Sequence, residues 1–469
     1  MNTHTCTTAL VQFRQKLYQN FTNRADTLME LIDAVCSTGS ARSIVEYSLT
    51  PCFRRTYSTL YKALDQWIWD NRTLARLLAP SLPPPRQDSF WLLGVDVTPQ
   101  PRPFAQTLPD RGMVYHPNPV QGNTPVTIGH QYSTVALLPE TQAQRSPAWV
   151  VPLSTRRVAS TDDKEAVGAA QIDALLRDQA LPFHDQLCVE VADSKYRKPA
   201  YLHAHRQHAN LVTIVRVAGN RTFYRRAQAD HQQTGAGHPR WYGAHFSLGD
   251  PSTWPVADSH ALTQHVSRRG KHYRVEIQTW RNCLMRGQRK PEVLPMQDYP
   301  FTLLRIMFYD QAGQAAFRRP LWLIVVGGRR HELNAFDIHH AYARRYDLEH
   351  FFRFGKQHLS LADFQTPDTE REEAWWQLVH IAYAQLWLAR DLVVALPRPW
   401  ERNLPAIQAR QISPTLVQRD FGRIIRQIGT PAQPPKPRGI SAGRRLGTRL
   451  PARPRQKVVV KGHQQAQAP

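Results

Sequence analysis

At 469 residues the chain is too long for one ordinary core, and length alone predicts roughly two to four domains. Its 60 Lys and Arg against 37 Asp and Glu leave a formal charge of +23, which predicts a polyanionic partner, nucleic acid first; a merely solubilising basic surface is the alternative that charge alone leaves open. Hydrophobic residues at 42% suffice for packed cores, whereas the longest apolar run, Pro320 to Val326, is far short of the ~20 residues that span a bilayer, so no membrane role is expected.

The polar stretch Met1 to Leu10 predicts no signal peptide and hence a cytoplasmic, nucleoid-associated location. Cys6, Cys36, Cys52, Cys188 and Cys283 are odd in number and lack paired C-x-x-C spacing, which predicts free thiols rather than a zinc knuckle. Between residues 7 and 80, apolar residues recur at helical spacing through Leu10, Phe13, Leu17 and Phe21, then Leu28, Leu31, Ile32 and Val35. Ser43 to Leu49 and Arg54 to Trp67, split by Thr50-Pro51, have the form of a helix-turn-helix whose second helix carries Arg54, Arg55 and Lys62. Such a pair serves either DNA reading or packing. Ser81 to Gln87, with three consecutive prolines, predicts a linker.

The texture then changes to strands at Phe90 to Thr98, Ser133 to Leu138 and Trp149 to Leu153, rich in Val, Leu and Trp. Thr161 to Ala180 predicts a helix capped by Thr161, with acidic residues in its first turn, before a strand at Leu187 to Ala192. Strand, crossover helix, strand is the logic of an α/β core. Gly219 to about Asp298 reads as a β-rich insertion whose basic and aromatic residues, among them Arg274, Trp280 and Arg281, suit either DNA or a solvated surface. Strands resume at Phe301 to Tyr309 and Pro320 to Val326. A long helix is predicted from Ile338 to His358 with Asp337 as N-cap, and further helices from Glu370 to Leu396. Beyond Pro431 nine Lys or Arg and no Asp or Glu predict a disordered basic tail.

The chemistry concentrates on the long helix. Tyr342, Arg345, Glu349 and Lys356 stand at offsets 0, 3, 7 and 14, which at about 100° per residue fall within a wedge of roughly 60°. Spacing alone also fits a solvated face with an Arg345–Glu349 ion pair. Two further acids end strands: Asp96 in Gly-Val-Asp-Val-Thr and Asp193 in Cys-Val-Glu-Val-Ala-Asp-Ser-Lys-Tyr. Both strands belong to one sheet, so their ends can share a cleft with Glu349. Three carboxylates are hard oxygen donors of the kind Mg2+ prefers. Glu190, three residues before Asp193, points to the opposite face of its strand. His339, His340 and His350 lack metal-ligand spacing.

Tyr-x2-Arg-x3-Glu-x6-Lys resembles the signature around the last acid of bacterial cut-and-paste insertion-sequence DDE transposases, members of the retroviral-integrase and RNase H-like superfamily. The Asp-x-Thr at Asp96 and the acid at Asp193 are similar to the family's first two acidic sites, in the same order. The resemblance covers about residues 88 to 365. It implies an α/β fold with an RNase H-like mixed-sheet catalytic core, formed by 88–218 and 301–365 and interrupted by the β-rich insertion 219–300. An all-helical DNA-binding domain at 1–82 precedes it; a helical C-terminal region at 366–430, suited to dimerisation, and the basic tail at 431–469 follow. It implies catalysis by Asp96, Asp193 and Glu349 through two Mg2+ ions, with Mn2+ as substitute, on double-stranded DNA bearing terminal inverted repeats and on target DNA. It also implies a homodimer and a hairpin intermediate. Tyr342, Arg345 and Lys356 are implied to hold phosphates. Trp322, just upstream, either packs near a flipped base or belongs to the core of its strand. The residues leave two other readings open: a nuclease or recombinase that does not transpose, and a DNA-binding repressor on a degenerate core.

Overall fold

The computed structural model describes residues 3–85, 89–116, 125–140, 148–227, 241–267, 270–288, 293–395, 412–437, 445–449 and 451–460. The end of the expected linker, parts of the expected insertion, the close of the C-terminal helical region and much of the tail lie outside the described residues.

The N-terminal segment forms α1 (Thr3–Asn20), α2 (Ala25–Ser37), α3 (Tyr57–Asp65) and α4 (Thr73–Leu78). Leu10, Phe13 and Leu17 of α1 and Leu28, Leu31, Ile32 and Val35 of α2 are buried, as their helical spacing requires. The expected helix-turn-helix takes another form. Ile44–Leu49 is a 3-10 helix and α3 starts only at Tyr57, so Arg54 and Arg55 lie ahead of that helix rather than on it.

The central sheet opens with β1 (Trp91–Pro101), β2 (Gly112–Tyr115), β3 (Val126–Leu137) and β4 (Val151–Val158). Helix α5 (Lys164–Leu176), β5 (Cys188–Ala192), α6 (Pro199–Ala204) and β6 (Leu211–Val217) follow. β1 pairs antiparallel with β3 and β3 with β4, while β1, β5 and β6 run parallel. This is the mixed arrangement expected of an RNase H-like core. β5 is buried at every position, which is why it reads as an apolar run instead of an alternation. β6 is a strand that the sequence analysis does not anticipate, although Leu-Val-Thr-Ile-Val-Arg-Val is rich in β-branched residues. Helix α5 is capped at Asp163 rather than Thr161, because a turn from Ala159 O to Asp162 N delays its start.

The expected insertion is only partly separate. β7 (Thr222–Arg226) and β8 (Tyr242–Ser247) pair as a two-stranded sheet. β9 (Ser259–Val266) and β10 (His272–Cys283) instead extend the central sheet through β11 (Phe301–Tyr309) and β12 (Leu321–Val326), in the order β2-β3-β1-β5-β6-β12-β11-β10-β9. The long helix expected after β12 is two: α7 (Ala335–Ala343) and α8 (Tyr346–His358), broken at Arg344 and Arg345. Its cap is Asn334, not Asp337. The Asn334 side chain accepts from the amides of Phe336 (2.8 Å) and Asp337 (3.0 Å), and Asp337 accepts in return from the Asn334 amide at 2.9 Å, a capping box.

α9 (Thr369–Ala389) is buried from Ala374 to Ala389, the environment of a helix that is apolar all round. α10 (Leu392–Ala395) and α11 (Pro414–Ile428) complete the helices. α9 and α11 pack against the N-terminal helices, so the two ends of the chain share one bundle. Arg14 of α1 donates to Gln385 of α9 (2.9 Å), Gln385 donates to Asp33 of α2 (3.1 Å), and Gln418 of α11 donates to the Val35 carbonyl (3.2 Å). Residues 456–459 of the tail, expected to be disordered, lie against the body: the amides of Gln456 and Val459 donate to the carbonyls of Gln106 and Arg111, each at 2.8 Å. Among the described residues no helix is long and apolar enough to cross a membrane.

Buried Glu372 of α9 ties the bundle to the sheet. It accepts from Arg102 just past β1 (2.8 Å) and from His130 (2.7 Å) and Tyr132 (2.9 Å) of β3. Burial pushes this carboxyl up, but His130 and Arg102 outweigh it and hold it below its usual range. Glu372→Ala leaves Arg102 buried without its counter-charge. Urea unfolding is expected to show a loss of roughly 3–5 kcal/mol; a loss below about 1 kcal/mol contradicts the role assigned to this carboxylate.

Candidate active site

Two carboxylates come from neighbouring parallel strands. The register Gly94↔Val191, continued by two residues, sets Asp96 beside Asp193 with both side chains on one face. Asp96 is 16% exposed and accepts at 2.8 Å from the amide of Val97. Asp193, just past β5, accepts at 2.7 Å from the Lys195 amide and caps the short 3-10 turn Ser194–Arg197. The Lys195 ammonium stands 3.9 Å from its other oxygen. Glu190 points the other way, as its odd offset requires, into a buried cluster with Tyr201, Thr213 and His205.

The third carboxylate arrives on α8. Gly94 faces this helix, and a Cβ there would lie 2.8 Å from Leu348 Cδ1, so the missing side chain lets α8 press onto β1. Glu349 follows Leu348 and projects from the rim, 45% exposed. Arg345 joins the two sides: Nη1 lies 3.3 Å from Asp96 Oδ2, and Nη2 donates to Glu349 Oε1 at 2.8 Å. One guanidinium thus bridges an acid of the sheet and an acid of the helix. Burial disfavours its charge, but Tyr342, Asp96 and Glu349 together hold its pKa above the ordinary value. Burial also pushes the Asp96 carboxyl up to about 6, with Arg345 pulling it down and Asp193 adding to the rise.

The break at Arg344 and Arg345 changes how the four expected residues cooperate. Tyr342 belongs to α7 and Glu349 and Lys356 to α8, so they do not form one uninterrupted stripe; Arg345 occupies the junction, its amide donating to the Tyr342 carbonyl at 3.1 Å. Tyr342 is buried, which lifts its hydroxyl to about 12 against the opposing charges of Arg345 and Arg216. Lys356 reaches across to β1, donating to Thr98 Oγ1 (2.7 Å) and the Pro99 carbonyl (3.2 Å). Thr98 is thereby tied to the site. The Asp-x-Thr motif contains it, but nothing in its spacing foretells that it would hold Lys356.

The other expected contacts are placed elsewhere. Trp322 is 1% exposed on β12, paired with Val217, and its ring lies 5.3 Å from Trp254 and 5.8 Å from Trp280. In this conformation it offers no face to a base, and its in-register pairing turns it away from the acids. Arg54 and Arg55 are engaged with the buried carboxylate of Glu30 and donate to the carbonyls of Ala432 (3.0 Å) and Gln433 (2.8 Å). A carboxylate that deeply buried requires such partners, which explains their position better than base reading does. Lys62 is exposed on α3.

Among the described residues no three His, Cys, Asp or Glu side chains converge as a ready-made metal site. The donor set nevertheless suits a hard divalent cation: two adjacent carboxylates and a third across the cleft, with a positive group already resting between Asp96 and Glu349. Comparison with protein families matches residues 16–287 to the family described as DDE superfamily endonuclease. That span is more than half the chain and contains Asp96 and Asp193; Glu349 lies beyond it. No curated protein matches the chain.

The raised Asp96 pKa has a consequence for stability. Its folded value, about 6, lies above the ordinary 3.8 of an aspartate, so the folded chain binds the extra proton between these limits and stability declines as pH rises through that window. Asp96→Asn removes this penalty. At neutral pH the variant is expected to gain roughly 1–3 kcal/mol in urea unfolding, with the gain vanishing below about pH 4; a gain independent of pH would rule out this origin.

Proposed function

The chain belongs to the DDE superfamily of endonucleases, enzymes that cleave nucleic acid with divalent metal ions, and on that premise we propose that it is a DNA transposase. The observation that carries the proposal is the Arg345 bridge between Asp96 and Glu349, with Asp193 next to Asp96 in the sheet. It supports Glu349 as the third acid, the one member outside the family match. The Tyr342, Arg345, Glu349 and Lys356 pattern favours the cut-and-paste insertion-sequence type.

In this proposal Asp96, Asp193 and Glu349 hold two Mg2+ ions, or Mn2+ in their place. Ions bound there supply Lewis-acid activation of the attacking water or 3'-hydroxyl and stabilise the leaving oxygen. The chain itself orients the DNA. The Arg345 fork has the geometry for bidentate contact with phosphate oxygens, and Lys356, held by Thr98, offers a point charge on the β1 side. Tyr342 contributes a hydroxyl beside Arg345. The substrate is double-stranded DNA carrying the element's terminal inverted repeats, cut by a homodimer through a hairpin intermediate and joined to target DNA. The core is composed of 88–218 and 301–365, with β9 and β10 of the intervening segment added at the edge of its sheet and the N-terminal helices contributing to DNA binding.

The test is cleavage of DNA containing the element's ends by purified protein in Mg2+. Wild type is expected to nick at the ends and to yield strand-transfer products. Asp96→Asn, Asp193→Asn and Glu349→Gln each are expected to lower nicking by at least roughly 10²- to 10³-fold while DNA binding persists. Full activity in any one of them removes that residue from the site. Nicking without joined products makes the protein a nuclease on the same core.

A further inference from the structure

Among the described residues the central sheet ends in three strands that have a neighbour on one side only: β4, β2 and β9. Such an edge presents unpaired N–H and C=O groups to any other chain, and proteins guard it with proline, charge, irregular pairing or a covering segment. β4 carries Pro152, Arg156 and Arg157, and its pairing with β3 shifts register between Val135 and Ala136. β2 is four residues long, and the tail closes on its start, where the Val459 amide donates to the Arg111 carbonyl.

β9 has none of these protections. It is eight residues long and pairs with β10 from Ser259↔Thr279 to Val266↔His272 without a shift. Its sequence, Ser-His-Ala-Leu-Thr-Gln-His-Val, contains no proline and no Lys, Arg, Asp or Glu. No strand among the described residues pairs with its outer side, along which Leu262 is 59% exposed.

Charge indicates what fits this edge. The chain carries +23, so two copies repel wherever cationic surfaces meet, and an anionic partner such as DNA finds no cation on this strand. Antiparallel pairing of β9 with itself meets neither objection, because a two-fold axis makes one neutral strand its own complement. Alternate residues of an antiparallel strand direct their N–H and C=O groups outward, so full overlap of two such edges forms about eight backbone hydrogen bonds.

We propose that β9 is a homodimer interface at which a second copy of this chain adds its own β9 edge to edge, joining the two central sheets. Antiparallel pairing about a two-fold axis keeps the faces of the sheets in common. α7, α8 and the acids of both copies therefore lie on the same side of the joined sheet. The assignment locates the homodimer of the transposase reading, but it stands on the sheet and not on the chemistry.

The experiment is sedimentation velocity on the full-length chain without DNA, over a protein concentration series at high salt, where repulsion between copies is screened. Wild type is expected to sediment as a dimer. Leu262→Lys combined with Gln264→Lys, both exposed on β9, is expected to weaken dimerisation by at least roughly 10-fold, because like charges then oppose one another across the paired strands. Met113→Lys, exposed on β2, is expected to leave dimerisation unchanged. Urea midpoints check that the variants fold, and Leu262→Lys alone replaces the double variant if that one unfolds. A monomeric wild type overturns the proposal, as does a double variant that dimerises like wild type. If that wild type still nicks end-containing DNA, the transposase reading stands without the β9 dimer; a dimeric wild type that nicks nothing removes that reading and leaves the β9 dimer in place.

Discussion

Everything at the candidate site depends on how closely two helices approach β1. On one face Gly94 admits Leu348, and with it α8; on the other, Gly168 of α5 allows that helix to rest near Val95 and Tyr196, where a Cβ would be 3.2 Å from each. β1 is clamped between them. Asp96 lies one residue beyond this clamp, so the packing of β1 fixes its backbone while the Val97 amide and Arg345 hold its carboxylate. A side chain at residue 94 would meet Leu348 and Leu138, so it would have to displace the leucine through which α8, the helix that carries Glu349, rests on β1.

Arg345 is the electrostatic counterpart of that steric constraint. Asp96 and Asp193 are adjacent, and burial makes the ionised form of Asp96 unfavourable, so the cluster needs positive charge. Arg345 provides it from a helix break, where the backbone turns and the side chain emerges between sheet and helix. Arg345 and Glu349 keep the i, i+4 spacing of one helical face, and from it Arg345 reaches back to β1 while Glu349 remains at the rim.

Much of this was legible in the sequence because it is local. The strand end at Asp193, the helical spacing from Arg345 to Glu349 and Lys356, and the opposite orientation of Glu190 follow from the 2- and 3.6-residue periods; Asp96, expected to end its strand, lies inside β1, which runs on to Pro101 in its antiparallel pairing with β3. What could not be read depends on partners distant along the chain. Arg54 and Arg55 look like a basic recognition face until Glu30 and residues 432–433 are brought to them. Trp322 sits in an apolar strand, but only the register with β6 and the aromatic rings of β8 and β10 shows which way it turns. β9 and β10 alternate as any half-buried strand does, and pairing with β11 determines that they extend the central sheet. The helix break had no Pro or Gly to announce it.

The bundle shared by the two ends of the chain bears on how the molecule is made. α1 and α2 pack on each other and on α3 and α4, but part of their surface is closed by α9 and α11, hundreds of positions later. That part stays open while the sheet is being synthesised, and closing so long a loop is slow. A chain interrupted before residue 414 would retain both aspartates and the glutamate and still lack the α11 packing on α2 and α9.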